Sequence, residues 1–284
     1  MKTTAQRLLI FFIGVPLVVV LVVLLPQKNH LTVNILSTLV SALGAVEFSD
    51  LLRKKDISIP SVEAALLGAL CPLSMTLTVS FGVPDSIILG ALTLGAFWLL
   101  ISRVFDREDT FRDFTGRVAA GFAVMIYPGL FLAWFIRMAL LPHADMVMLM
   151  FLIIVIANDS VAWAAGMIFG TGNRGIIFAS PNKSIAGFVG GFTASLLTGI
   201  GAVLLIPGAF TSPRFPSLPA GAILGVLSAA AGSLGDLGES VLKRSSQVKD
   251  SGTLIPGRGG ILDSVDSIAL SAPVYYLSFW FLFI

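Results

Sequence analysis

Residues 240–266 read SVLKRSSQVKDSGTLIPGRGGILDSVD, a polar and charged interval in a chain that is otherwise close to continuous apolar sequence. The run before it, 218–241, and the run after it, 265–284, are each near the 20 or so apolar residues that a bilayer-spanning helix needs. The interval therefore reads as a water-facing loop between two membrane helices.

Working outward from this loop, the same length criterion picks out spans near 8–25, 31–47, 61–81, 85–102, 117–136, 145–169, 185–209, 218–241 and 265–284. Hydrophobic residues make up 56% of the 284 and charged residues only 12%, and the mean hydropathy is +0.95. A soluble globular core is excluded by that composition. A transmembrane barrel is excluded by the long continuous runs, since barrel strands alternate over about 10 residues. The first run follows Lys2 and Arg7 as a signal peptide would, but it exceeds the usual 7–15 residues or so and lacks a small-x-small cleavage site. It is expected to be a retained helix. The expected fold is an all-α integral membrane protein of about nine transmembrane helices, with a polar, cytoplasm-facing cavity in the C-terminal half. Its organisation is expected to be N-terminal helices over 1–116 and a catalytic region over 117–284, within one continuous membrane domain.

With the N-terminus inside, 15 of the 18 Lys and Arg fall on inner loops, leaving Lys28, Arg137 and Arg214 outside. That asymmetry predicts a multi-pass protein of the cell's inner (cytoplasmic) membrane with a cytoplasmic N-terminus. A net charge of +2, scattered over many loops, excludes a nucleic-acid partner. Cys71 is the only cysteine, so neither an internal disulfide nor a thiolate metal cluster is available. The cations from Arg103 to Arg117 alternate with Asp106, Glu108, Asp109 and Asp113 and read as a solvated loop. Little polarity enters the first four spans, and the chemistry is expected after residue 150.

Ionisable groups within spanning helices cost about 2.5 to 3.5 kcal/mol at the centre and are functional candidates by default. Asp159 lies in IANDSVAWAAGMIFG and Asp236 with Glu239 in AAGSLGDLGESVLKR. Asp236, Glu239, Ser240 and Lys243 are spaced i, i+3, i+4 and i+7, which lines carboxylates, hydroxyl and ammonium along one helical stripe. Asp263 and Asp266 share a face at the start of the next span. Four acids on two helix ends repel unless a cation neutralises them. With oxygen donors only and no His or Cys cluster, that cation is expected to be Mg²⁺, which takes one or two carboxylates plus substrate phosphates.

Between the acid pairs come Lys243, Arg244, Lys249 and Arg258, the last within PGRGG at 256–260. Gly259 and Gly260 ahead of a helix N-terminus are the kind of backbone that approaches phosphate. A plain turn and positive-inside anchoring are the structural alternatives for this stretch. The loop TGNRGIIFASPNKSIAG, 171–187, has the same character, with Arg174, Lys183, Ser180 and Ser184. Gly187, Gly190 and Gly191 behind it suit close helix packing.

At this point the chain resembles the phosphatidate cytidylyltransferase, or CDP-diacylglycerol synthase, family. Its signature, Ser-x-apolar-Lys-Arg-x4-Lys-Asp-x-small-x2-apolar-Pro-x-His-Gly-Gly-apolar-x-Asp-Arg-apolar-Asp, is matched by Ser240, Leu242, Lys243, Arg244, Lys249, Asp250, Gly252, Ile255, Pro256, Gly259, Gly260, Ile261, Asp263, Val265 and Asp266. SPNKSIAGFVGG and NDSVAWAAGMIFG extend the resemblance through the C-terminal half. It implies a nucleotidyltransferase of phospholipid biosynthesis that condenses CTP with phosphatidic acid to CDP-diacylglycerol and pyrophosphate, with Mg²⁺ as cofactor. It further implies Asp236, Asp263 and Asp266 as metal ligands with Glu239 beside them. Asp236, Lys243, Asp263 and Asp266 would be catalytic. Asp159, Ser180, Lys183, Ser184, Ser240, Arg244, Lys249, Arg258, Gly259 and Gly260 would line the substrates. The chain departs from the pattern at Arg258, where the family has His, at Ser264, where it has Arg, and at Ala186, often Glu. Arg258 either restores the cation that Ser264 removes, or the chain is a degenerate member that binds lipid. A transporter using the buried acids is the third reading. Membrane lipids are expected partners, and a homodimer is compatible with all of these.

Overall fold

The computed structural model describes residue 14, residues 16–105, residue 111 and residues 113–284. All regular structure among these is helical, apart from two isolated bridges in loops, Arg174 with Ser184 and Ile255 with Gly259. Seven helices are long and apolar enough to cross a membrane. They are α1 (Gln27–Arg53), α2 (Ser61–Phe81), α4 (Phe114–Leu140), α5 (Ala144–Phe169), α6 (Ile185–Leu205), α7 (Ser217–Ser245) and α8 (Leu262–Phe283), while α3 (Ser86–Ile101) is apolar but only 16 residues long. At 1.5 Å per residue it reaches about 24 Å, short of the ~30 Å hydrocarbon core. Of the first expected span, 8–25, residues 14 and 16–24 are helical, while 8–13 and 15 lie outside the described residues. Seven of the nine expected spans are therefore established by length and composition.

Two compact units make up the chain, Met1–Ala139 with Ser245–Val265 and Leu140–Arg244 with Asp266–Ile284. In the first, α1 leaves the left-handed conformations of Lys28, Asn29 and His30 and continues as regular helix from residue 31, where the apolar run begins. Pro128 cannot donate a helical hydrogen bond, and α4 opens there into a π turn over Met125–Leu130. The Ser41 hydroxyl from α1 faces both the Pro128 carbonyl and, at 2.7 Å, the Gly68 carbonyl of α2, which ties three helices at this turn.

Arg117 corrects the reading of 103–117 as a solvated loop. It sits in the first turn of α4, is 9% exposed, pairs with Glu63 in the first turn of α2 and donates to the Ser58 carbonyl at 2.8 Å. Asp106, Arg107, Glu108, Asp109 and Arg112 lie outside the described residues. Asp85 precedes α3, outside the spanning segments, and the Arg137 guanidinium grips both its oxygens at 3.1 and 2.7 Å, holding that carboxyl below the usual carboxylate range.

In the second unit, small residues let helices meet backbone to backbone, as expected where lipid gives no hydrophobic drive for association. Gly187 and Gly191 of α6 lie against the carbonyls of Ala162 and Asn158 of α5, the packing role expected of that glycine run. Between α7 and α8, any Cβ at Gly235 would collide with the Asp266 carbonyl, and the Ser271 hydroxyl donates to the Ser228 carbonyl at 3.1 Å. The Tyr275 hydroxyl of α8 donates to the Val147 carbonyl of α5 at 3.0 Å, beside the Phe151 ring. These close seams set the spacing of the polar groups described next.

Candidate active site

In the second unit, the approach of α7 to α8 at Gly235 brings Asp236 within electrostatic range of Asp266, and Asp159 of α5 interacts with both. Asp266 is 8% exposed, and its Oδ1 accepts the Ser267 amide at 2.6 Å. Asp159 accepts from the Asn158 side chain at 3.1 Å. Asn158 in turn reaches the Ser233 hydroxyl of α7 at 3.5 Å. Three carboxylates from three helices thus share one neighbourhood. Lys183 enters it from the 171–184 loop, forming an ion pair with Asp236 and lying 5.6 Å from the centre of the Phe188 ring.

The stripe expected on α7 is helical throughout. Glu239 is fully buried and paired with Lys243 one turn on, so the ammonium is held against the helix by its own neighbour. Ser240 is half-buried, and Arg244 is exposed and donates to the Ala179 carbonyl at 3.4 Å, tying the helix end to the 171–184 loop. That loop folds back on itself through Gly175 to Pro181 and Ile185 to Asn173 backbone bonds. Within it Ser184 serves as N-cap of α6, accepting the Gly187 amide at 3.0 Å, and Arg174 donates to the Gly166 carbonyl at 2.7 Å. Ser180 contributes backbone bonds to the same turn.

The remaining expected residues belong to the first unit. Ile255 and Gly259 pair across a tight turn, with Arg258 exposed between Gly257 at φ 78° and Gly259 at φ 113°. Lys249 is also exposed. Asp263 Oδ2 accepts the Ser251 amide at 2.8 Å and the Gly260 amide at 2.7 Å, and it lies 2.9 Å from the Ser251 hydroxyl. The amides of Ile261 and Leu262, which open α8, point at the carboxylate of Glu47, each at 2.9 Å. Charge-assisted bonds of this kind are roughly twice as strong as neutral ones.

Among the described residues no three His, Cys, Asp or Glu side chains converge as a ready metal-binding group.

The model of the cytidylyltransferase family matches residues 5–282. The chain belongs to the cytidylyltransferase family. It is 32% identical over 242 residues to a phosphatidate cytidylyltransferase of Bacillus subtilis, covering 84% of this chain and 86% of that protein. A chloroplastic phosphatidate cytidylyltransferase of Arabidopsis thaliana is 30% identical over 256 residues, 82% of this chain and 62% of its own. A Mycobacterium bovis relative of the same name is 42% identical over 121 residues, 43% of this chain and 37% of its own.

Within this cytidylyltransferase, Glu47 is the polar residue that spacing arguments pass over. It stands in the second expected span, among those read as almost free of polarity, yet it is 4% exposed and bonded to the signature loop. The available signal is a lone acid between Val46 and Phe48, with apolar sequence on the N-terminal side. The Ser264 hydroxyl, where the family pattern has Arg, bonds back to the Gly260 carbonyl at 3.2 Å.

Proposed function

We propose that the chain is a membrane-embedded phosphatidate cytidylyltransferase, joining phosphatidic acid to the cytidylyl group of CTP to give CDP-diacylglycerol and pyrophosphate. The observation that carries this reading is the gathering of Asp159, Asp236, Asp266 and Lys183 in a chain that matches the family over nearly its whole length. The relatives named above are all cytidylyltransferases, which favours catalysis over the lipid-binding and transporter alternatives.

In the reaction a phosphatidate phosphate oxygen forms a bond to the α-phosphorus of CTP, and the bond to the pyrophosphate oxygen breaks. The attacking oxygen is already anionic, so no strong general base is needed. What the protein supplies is positioning and charge. Lys183, Lys243 and Arg244 would meet phosphate oxygens from α7 and the 171–184 loop, while Lys249 and Arg258, on the 246–262 loop of the first unit, are separate candidates for an anion. Ser180, Ser184 and Ser240 line the same segments, and Gly259 and Gly260 give the turn its shape.

The carboxylate set suits Mg²⁺, because that ion binds through one or two protein carboxylates beside phosphates and water and does not need a preformed cage. Asp236 and Asp266 are the pair we propose for it, since the close approach of α7 to α8 at Gly235 brings the two together. Bound there, Mg²⁺ would neutralise charge on the reacting phosphates. The loops carrying the cations are assigned to the cytoplasmic face, where CTP is available, on the 15-to-3 distribution of Lys and Arg.

The direct test is purified protein in detergent with phosphatidic acid and CTP labelled at the α-phosphate, with and without Mg²⁺. The expected result is Mg²⁺-dependent label in the lipid phase with pyrophosphate released one for one. No labelled lipid under any divalent cation would end the assignment.

A further inference from the structure

Glu47 lies more than 200 residues from the signature loop in sequence and inside α1, a membrane-spanning helix. A carboxylate in such a helix is expensive unless fully bonded. Here Oε1 accepts the Ile261 amide, and Oε2 accepts the Leu262 amide and faces the Ser251 hydroxyl at 3.0 Å. The same hydroxyl lies 2.9 Å from Asp263 Oδ2. It carries one proton, so it can donate to only one of the two carboxylates at a time, and it links them. The loop is cut to fit this acid: a Cβ at either Gly252 or Gly260 would run into the Glu47 carboxylate. Orphan amides at a helix start could be capped locally by a neutral Ser or Asn. A buried carboxylate brought in from a distant helix does more, because it fixes where the whole loop sits.

Resting on the cytidylyl-transfer reading, we propose that Glu47 is a positioning residue for that reaction, acting through Ser251 and the Ile261 and Leu262 amides to hold Asp263 and the cationic loop in their working geometry. Enclosure by the loop argues that the carboxylate stays in place when substrates bind.

The test compares wild type, Glu47→Gln, Ser251→Ala and the double variant. Gln keeps the shape of Glu but turns an amide N–H₂ toward a backbone N–H. The expected result is a fall in kcat of about 10- to 100-fold in Glu47→Gln, with the CTP KM changed by less than about threefold. Backbone hydrogen exchange should rise in residues 251–262, with the thermal transition in detergent near that of wild type. Ser251→Ala should lower kcat in the same direction, and the double variant should lose less than the product of the singles. Wild-type kcat together with wild-type exchange in Glu47→Gln overturns the proposal. So does a CTP KM that falls sharply, since that marks Glu47 as an internal anion competing with substrate. If Glu47→Gln fails to fold, Ser251→Ala decides, and unchanged kcat there overturns it. An inactive wild type would refute the cytidylyl-transfer reading, while the exchange measurement still reports whether Glu47 holds the loop.

Discussion

Lys183, on the loop ahead of α6, forms an ion pair with Asp236 on α7, and so sets a cation against the neighbourhood of three carboxylates. Both side chains keep partial exposure, 25% and 33%, so the pair contributes little to stability and is better placed to meet ligands.

Removing that cation should impair chemistry far more than folding. Lys183→Gln is expected to lower kcat/KM for CTP by about 10-fold or more, equivalent to about 1.4 kcal/mol of transition-state stabilisation. Lys183→Arg should retain more activity than Lys183→Gln. Initial rates against CTP concentration, alongside thermal transitions in detergent, provide the check. A Lys183→Gln enzyme with wild-type kcat/KM would remove Lys183 from the site.

Gly235 and Gly238 lie three residues apart on α7 but face different surroundings. A Cβ at Gly235 meets the Asp266 carbonyl, whereas at Gly238 nothing lies within 4 Å. Gly235→Ala should destabilise the protein by about 1–3 kcal/mol through overpacking and should reduce activity by shifting Asp236 against Asp266. Gly238→Ala should be neutral or slightly stabilising, by up to about 1 kcal/mol, because Ala favours helix over Gly. Equal melting behaviour of the two variants would contradict the close approach of α7 and α8.

Arg258 and Ser264 both depart from the family pattern, and the structure places Arg258 exposed at the turn tip and Ser264 bonded to the loop's own Gly260 carbonyl. If Arg258 supplies the phosphate-facing charge, Arg258→His should lose much activity near pH 8, because it exchanges a permanent cation for a group of pKa about 6.5. Adding Ser264→Arg should restore it. Rates from the two singles and the double form a cycle, and additive losses would count against compensation.

Orientation can be read with one introduced thiol. Cys71 is buried, which leaves a cysteine placed at the exposed Lys249 as the reactive one. Lys249→Cys should resist a membrane-impermeant maleimide in intact cells and react in inverted vesicles. Labelling of intact cells would reverse the assigned topology.

The acids show which parts of the site are legible in the sequence. Asp236, Glu239 and Lys243 follow from a helical spacing of three and four, and the pairing of Glu239 with Lys243 is the kind of i, i+4 contact that spacing implies. Arg117 escapes such a reading because its charged neighbours suggest solvent, while the partner that buries it, Glu63, lies 54 residues earlier in α2. Ser184 stands out for its place before a Gly-rich helix, and its hydroxyl caps that helix.

Membrane residence, helical class and the identity of the signature loop were determined by the sequence alone, because hydropathy over about 20 residues and helical periodicity are properties of short windows. The family likeness of 240–266 is equally local. Only the tertiary structure decided that Asp159, Asp236 and Asp266 share a neighbourhood, through glycine-permitted contact of α7 with α8 and the Asn158 link from α5. It alone brought Glu47 onto the loop, since the amides it accepts are 214 and 215 residues away. A buried carboxylate must find donors somewhere, but which donors is set by how helices pack, and no window of sequence spans that distance.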